Sequence, residues 1–197
     1  MKAALPDFPV SSPSAWVKRW SDLIPRGGRV LDVASGGGRH TRWFAAAGYT
    51  VEAVDRDIGQ LAGLADIEAI TVCRLDLEAE VWPYSPASFA GIVVTNYLHR
   101  PLFPSLLEAL AAGGVLIYET FAVGNARYGK PRNPDYLLRP GELREVVAGR
   151  LEILGFEEGV VSDPRPAAVQ RLCARSPENT APNGGVLRLA AGSTFIG

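Results

Sequence analysis

The sequence predicts a doubly wound α/β domain built on a mostly parallel sheet. Three observations predict it. Short apolar runs alternate with segments of helical periodicity, a glycine-rich turn follows the first run, and the last two extended runs flank a turn-rich link. Strands that read as unbroken apolar runs between helices belong to a parallel sheet covered on both faces. The closing pair reads as an antiparallel hairpin.

Residues 1–13 carry three prolines and two serines and are expected to form an irregular arm. From Ser14, a candidate N-cap, the apolar residues Trp16, Val17, Trp20, Leu23 and Ile24 fall at helical spacing, until Pro25-Arg26-Gly27-Gly28 turns the chain. A strand is predicted over 29–34, a helix over 38–47 stopped by Gly48, a strand over 50–55, a weak helix over 58–65 and a strand over 69–75. Next come a continuous apolar strand over 89–95, a helix over 101–112 ended by Gly113-Gly114, a strand over 115–121 and a helix over 141–150. The hairpin is expected from 151–161 and 168–175. One domain over 14–176 accounts for these elements, with a tail over 177–197 in which Val186 to Leu189 could add an edge strand.

Composition narrows the class. A chain of 197 residues fits one domain and can bury roughly 70% of its unfolded surface, so it folds without a metal or disulfide. Cys73 and Cys173 each sit in an apolar run and make no metal-ligand pattern; free buried thiols are the simplest reading. The formal net charge of -1 gives no global field to draw in a polyanion. No apolar stretch nears the ~20 residues that span a bilayer, and the N-terminus lacks a signal-peptide core, so a cytoplasmic location and no membrane partner are expected.

The first predicted strand runs into Asp32-Val33-Ala34-Ser35-Gly36-Gly37-Gly38. Glycine allows unusual torsions and close approach of a ligand, and the helix beyond offers unpaired N–H groups to an anionic group. Nicotinamide and flavin proteins use similar turns. Here, however, Thr41 stands where a G-x-G-x-x-G fingerprint, counted from Gly36, needs its third glycine, and Asp32 would repel a pyrophosphate. A cofactor with an amino-acid end suits the turn better, its ammonium facing Asp32 and its carboxylate the helix. S-adenosylmethionine is such a cofactor. Asp55 ends the second strand, where a carboxylate can accept from both ribose hydroxyls, and Asp76 follows the third, within reach of an adenine amino group. Other readings stay open: Asp32 could cap a helix, Asp55 could pair with Arg56, and Asp76 could be a solvated loop residue.

The stretches VLDVASGGGRHTRWFA, VEAVDRD, LDLE and GGVLIYETF resemble successive motifs of the class I S-adenosylmethionine-dependent methyltransferases, and are similar to small bacterial members of the tellurite-resistance type. The resemblance covers about residues 28–175. It implies a seven-stranded sheet in the order 3-2-1-4-5-7-6 with strand seven antiparallel. It assigns Asp32 and the turn Ala34, Ser35, Gly36 and Gly38 to the methionine end, Asp55 to ribose, and Asp76 with Leu77 to adenine, with Arg56 a further cofactor-binding candidate. Asn96 would offer its carbonyl to the ammonium. Ala34 departs from the glycine usual in the family.

The resemblance implies methyl transfer, with S-adenosylhomocysteine as product. Such an enzyme must hold a nucleophile roughly 3 Å from the methyl carbon and in line with the sulfur. Strand four ends in Thr95-Asn96-Tyr97-Leu98-His99-Arg100, so His99 and Tyr97 are the candidate catalytic residues, His99 as general base and Tyr97 packing on cofactor or substrate. His99 could instead cap the next helix. His40 reads as a surface or cofactor-rim residue. Glu119, in an apolar strand, needs a partner if buried: Arg100 or a substrate donor. The long connection 122–140 carries Arg127 and Tyr128 and reads as a lid or substrate loop. A small-molecule acceptor is the leading expectation; an RNA acceptor, a non-catalytic S-adenosyl-ligand binding module and a nicotinamide oxidoreductase are the alternatives. No metal site is expected.

Overall fold

The computed structural model describes residues 12–163 and 165–178, which leaves the arm before residue 12 and the possible edge strand at Val186 to Leu189 outside the described residues. Helix α1 (Ala15–Trp20) starts as expected, with the Ser14 hydroxyl accepting from the amides of Trp16 and Val17. A 3-10 turn, Ser21–Leu23, continues it.

Seven strands follow: β1 (Arg29–Val33), β2 (Thr50–Asp55), β3 (Ile70–Arg74), β4 (Phe89–Thr95), β5 (Leu110–Phe121), β6 (Glu152–Val161) and β7 (Ala167–Arg175). They form one sheet in the order 3-2-1-4-5-7-6, in which β7 alone runs antiparallel to its neighbours. Helices α2 (Arg39–Ala46), α3 (Phe103–Ala109) and α4 (Glu142–Val147) complete the layers. Alternate residues of the central strands feed two cores. Ile92, Val94, Leu116 and Tyr118 pack toward α3 and α4, whereas Val93, Val115 and Ile117 pack under α1 and α2.

The structure shortens several predicted helices. The helix expected over 101–112 begins as a 3-10 turn, Arg100–Leu102, and ends at Ala109, because Leu110 already pairs with Phe89 and opens β5. The segment 58–65 is a 3-10 run, Gly59–Leu64, whose Leu61 and Leu64 are fully buried beneath the glycine turn. The connection 122–140 is fastened to the sheet. Val123 donates to the Leu138 carbonyl at 2.9 Å, Leu138 to that of Phe121 at 2.9 Å, and buried Asn125 accepts from the Ala168 amide at 3.2 Å.

Candidate functional site at the carboxyl edge of the sheet

The turn after β1 is tight because three successive alternate residues take left-handed torsions: Ala34 at φ 51°, Gly36 at φ 53° and Gly38 at φ 72°. Glycine adopts such torsions freely, but alanine does so at a cost. The turn is locked by Ser35, whose amide donates to the Val54 carbonyl at 3.0 Å, and by Gly36, whose amide donates to Asp55 Oδ2 at 2.8 Å. Gly38 must lack a side chain for a further reason: a Cβ there would stand 2.8 Å from both Leu61 and Leu64.

These turns open onto a cleft of about 290 Å³ at the carboxyl ends of β1 to β4. Ala34 and Asp55 line one side, Asp76, Leu77 and Glu78 the other, and Tyr97 closes it from the end of β4. Leu75 adds apolar wall and Arg56 a guanidinium at the rim. A carboxylate has about four lone-pair sites. Asp55 spends two of them, on Gly36 and on the Asp57 amide at 2.9 Å, and retains acceptor capacity. Asp76 takes one bond, from the Glu78 amide at 3.0 Å.

Asp32 lies elsewhere. It is 1% exposed, behind the turn, and accepts from the Thr41 hydroxyl at 2.6 Å as well as from the Thr41 backbone, so it caps the first turn of α2. That contact is of the helix-cap kind, and Asp32 is not among the residues that line the cleft beside Asp55 and Asp76. Thr41, standing where a dinucleotide fingerprint needs glycine, supplies the hydroxyl that captures it. Burial raises the Asp32 pKa to about 6, against the opposing effect of the Thr41 hydrogen bonds.

The reading of His40 is corrected. It is not a surface or rim residue but 1% exposed, with Nε2 accepting from the Ser14 amide at 3.1 Å. Nε2 is therefore unprotonated, and the neutral ring carries its hydrogen on Nδ1, which faces Thr95 Oγ1 at 3.5 Å. Burial, aided by Arg39, lowers its pKa to about 3. Glu119 does not meet Arg100. It accepts from the Ser14 hydroxyl at 3.0 Å and pairs with Arg171 at 2.6 Å, because the β5–β7 register sets Glu119 opposite Arg171. Arg100 instead grips Glu142, at 2.6 Å, and the carbonyls of Asp135 and Leu137.

The remaining candidates divide. Asn96 takes φ 56°, donates its amide to the Glu119 carbonyl at 2.9 Å and is exposed. His99 is half-buried beside the 3-10 turn, and its side chain makes no cap bond. It does not line the cleft. Arg127 and Tyr128 are exposed and line a separate groove of about 190 Å³ at the ends of β5, β6 and β7, with Val123 and Val160. Sequence reasoning missed Glu78 and Leu75 as cleft residues, although both flank the Asp76-Leu77 pair that it found. Among the described residues, no group of three or more His, Cys, Asp or Glu could hold a metal ion, and no helix is long and apolar enough to cross a membrane.

Strand order, the antiparallel seventh strand and a carboxyl-edge cleft beneath a glycine turn define the Rossmann-like class I methyltransferase fold. Comparison with solved structures agrees. TehB from Haemophilus influenzae superposes with a TM-score of 0.66 at 19% identity, over 82% of this chain and 61% of that one. The Burkholderia thailandensis 1,6-didemethyltoxoflavin-N1-methyltransferase, with bound 1,6-didemethyltoxoflavin and S-adenosylhomocysteine, gives 0.61 at 20% identity, over 83% and 79%. The [4+2]-cyclase SpnF gives 0.63 at 18% identity, over 87% and 86%. The chain thus spans less than two thirds of the TehB chain that it matches. No family model matches the sequence, and no curated protein does either.

Proposed function

We propose that the protein is an S-adenosylmethionine-dependent methyltransferase that acts on a small-molecule acceptor. One observation carries the reading: Asp55, with acceptor capacity to spare, faces Asp76 across a cleft that has apolar walls at Leu75 and Leu77. That donor set suits an adenosine. A sugar diol meets Asp55, an exocyclic amine meets Asp76, and a flat base lies on leucine. The N-terminus of α2, behind Gly36 to Gly38, suits a carboxylate at the amides that Asp32 does not take. When bound, the cofactor supplies a methyl group on a positively charged sulfur. The chain's part is to orient it, exclude water and leave an acceptor in line at the end of β4. His99, four residues beyond that end, is the candidate base. The Burkholderia neighbour, holding S-adenosylhomocysteine with a heterocyclic ligand, supports a small-molecule acceptor.

The fold also hosts a cyclase, so binding and transfer must be tested apart. Calorimetry with S-adenosylhomocysteine and NAD should give binding of the first only. Asp55→Ala should weaken that binding by on the order of 2–4 kcal/mol, the loss of hydrogen bonds to a charged group. Unchanged affinity in the folded variant removes the ribose assignment. Tritiated-methyl transfer into fractionated extract should label a small-molecule fraction. Label in RNA would move the acceptor class, and tight binding with no label anywhere would leave a binding module.

A further inference from the structure

We infer that Tyr97 reads the base of the bound nucleoside, donating a hydrogen bond to a ring nitrogen of a 6-aminopurine, rather than serving the methyl-transfer end of the site. The inference rests on the cofactor reading above. Its ground is the course of the chain after β4. Asn96, in the left-handed region, reverses the backbone direction, and Tyr118 Oη donates to the Tyr97 carbonyl at 3.0 Å. Tyr118 is 1% exposed and cannot yield, so the backbone at Tyr97 is held from below. The side chain is thereby sent across the cleft toward the segment after β3, where its charged neighbours are Glu78, Asp76 and Arg56. All three line the same cleft as Asp55, and His99 is not among its lining residues.

The Tyr97 hydroxyl is buried and makes no hydrogen bond of good geometry within the protein. A buried polar group left so costs stability, and a ligand that satisfies it recovers the cost. Burial, together with the carboxylates of Glu78 and Asp76, holds its pKa above the usual phenol range, so at neutral pH it is a donor. Ionised carboxylates only accept. A ligand edge that fits this corner presents an amine to a carboxylate and a lone pair to the phenol. A 6-aminopurine does both, whereas a 6-oxopurine turns a carbonyl toward the carboxylates and a ring N–H toward the phenol.

Three probes separate the ends of the site by calorimetry: S-adenosylhomocysteine, 5′-methylthioadenosine, which lacks the amino-acid end, and S-inosylhomocysteine. Tyr97→Phe should weaken the first two by the same factor, about three- to tenfold for one neutral hydrogen bond, and should narrow the preference over the inosyl compound. Its ligand-free urea midpoint should stay near wild type, since the hydroxyl removed makes no well-formed bond and only neighbours the Glu78 carboxylate. Tyr118→Phe, a positioning change, should produce a smaller loss of the same pattern, and the double variant should lose no more than Tyr97→Phe alone. A loss confined to S-adenosylhomocysteine would put the hydroxyl at the amino-acid end and overturn the assignment. So would unchanged affinity, or a lower urea midpoint. A wild type that binds neither adenosine compound refutes the cofactor reading and this one together; a wild type that binds both, with Tyr97→Phe unchanged, refutes this one alone.

Discussion

Ala34→Gly should stabilise the protein, against the usual sign of an alanine-to-glycine change. Ala34 sits at φ 51°, held there by the Ser35 and Gly36 amide bonds to β2 and by the Gly38 amide, which donates back to the Ser35 carbonyl at 2.9 Å. An L-residue in this region costs roughly 1–2 kcal/mol relative to its ordinary conformations. Glycine removes that cost but gives the unfolded chain more freedom, returning about 0.4–1 kcal/mol. The difference is a net gain of about 0.5–1 kcal/mol, or roughly 1–4 °C in Tm for a chain of this size. Urea denaturation at neutral pH should show a higher midpoint with an unchanged slope. Ala34→Val tests the same torsion from the other side: a branched side chain suffers more there and should lower the midpoint. A lower midpoint for the glycine variant, or a neutral valine, would mean that the turn is not strained at this residue and would refute the reasoning.

Asp32→Asn should also stabilise the ligand-free protein, with a pH dependence that identifies the cause. The folded-state pKa is raised to about 6 from 3.8, so the folded protein holds this proton more tightly and Asp32 removes stability as pH rises through that window. The variant should exceed wild type by about 3 kcal/mol at most at pH 8, with the gap closing near pH 4; a constant gap would assign the effect to packing. His40 works in the opposite sense, its lowered pKa removing stability as pH falls below 6.5, but it is common to both proteins and drops out of the difference. His99→Ala should lower turnover more than S-adenosylhomocysteine affinity once an acceptor is in hand, and equal loss of both would make the residue structural.

The fold was legible in the sequence because its signals are local. Unbroken apolar runs such as Phe89–Thr95, the Ser14 cap and the glycine turn each report on their neighbours in the chain. The boundary between α3 and β5 was not, since Leu110 to Gly114 leave helix for strand through pairing with β4, a partner remote in sequence. The same distinction divides the site. Asp55, Asp76 and Tyr97 could be read from their places after apolar strands, and all three line the cleft. The partners of His40 and Glu119 could not. Ser14 is 26 residues from His40 and 105 from Glu119, and Arg171 meets Glu119 only through the antiparallel register of β7.

The polar groups at the carboxyl edge accordingly form two sets, and the contrast between them argues for where a ligand goes. On the α1 and α2 side, Asp32 is met by Thr41, His40 by Ser14, and Glu119 by both Ser14 and Arg171. Each has a protein partner, and together they bind the start of α1 to β5 and β7. Such a set needs nothing from outside, and removing one member leaves another buried and unpaired. On the cleft side, Asp55 and Asp76 keep lone pairs in reserve and Tyr97 keeps a buried hydroxyl without a well-formed bond. Their presence beside two leucines, around a cavity and next to a left-handed alanine, is the physical case that a polar, flat-based molecule completes this half of the structure.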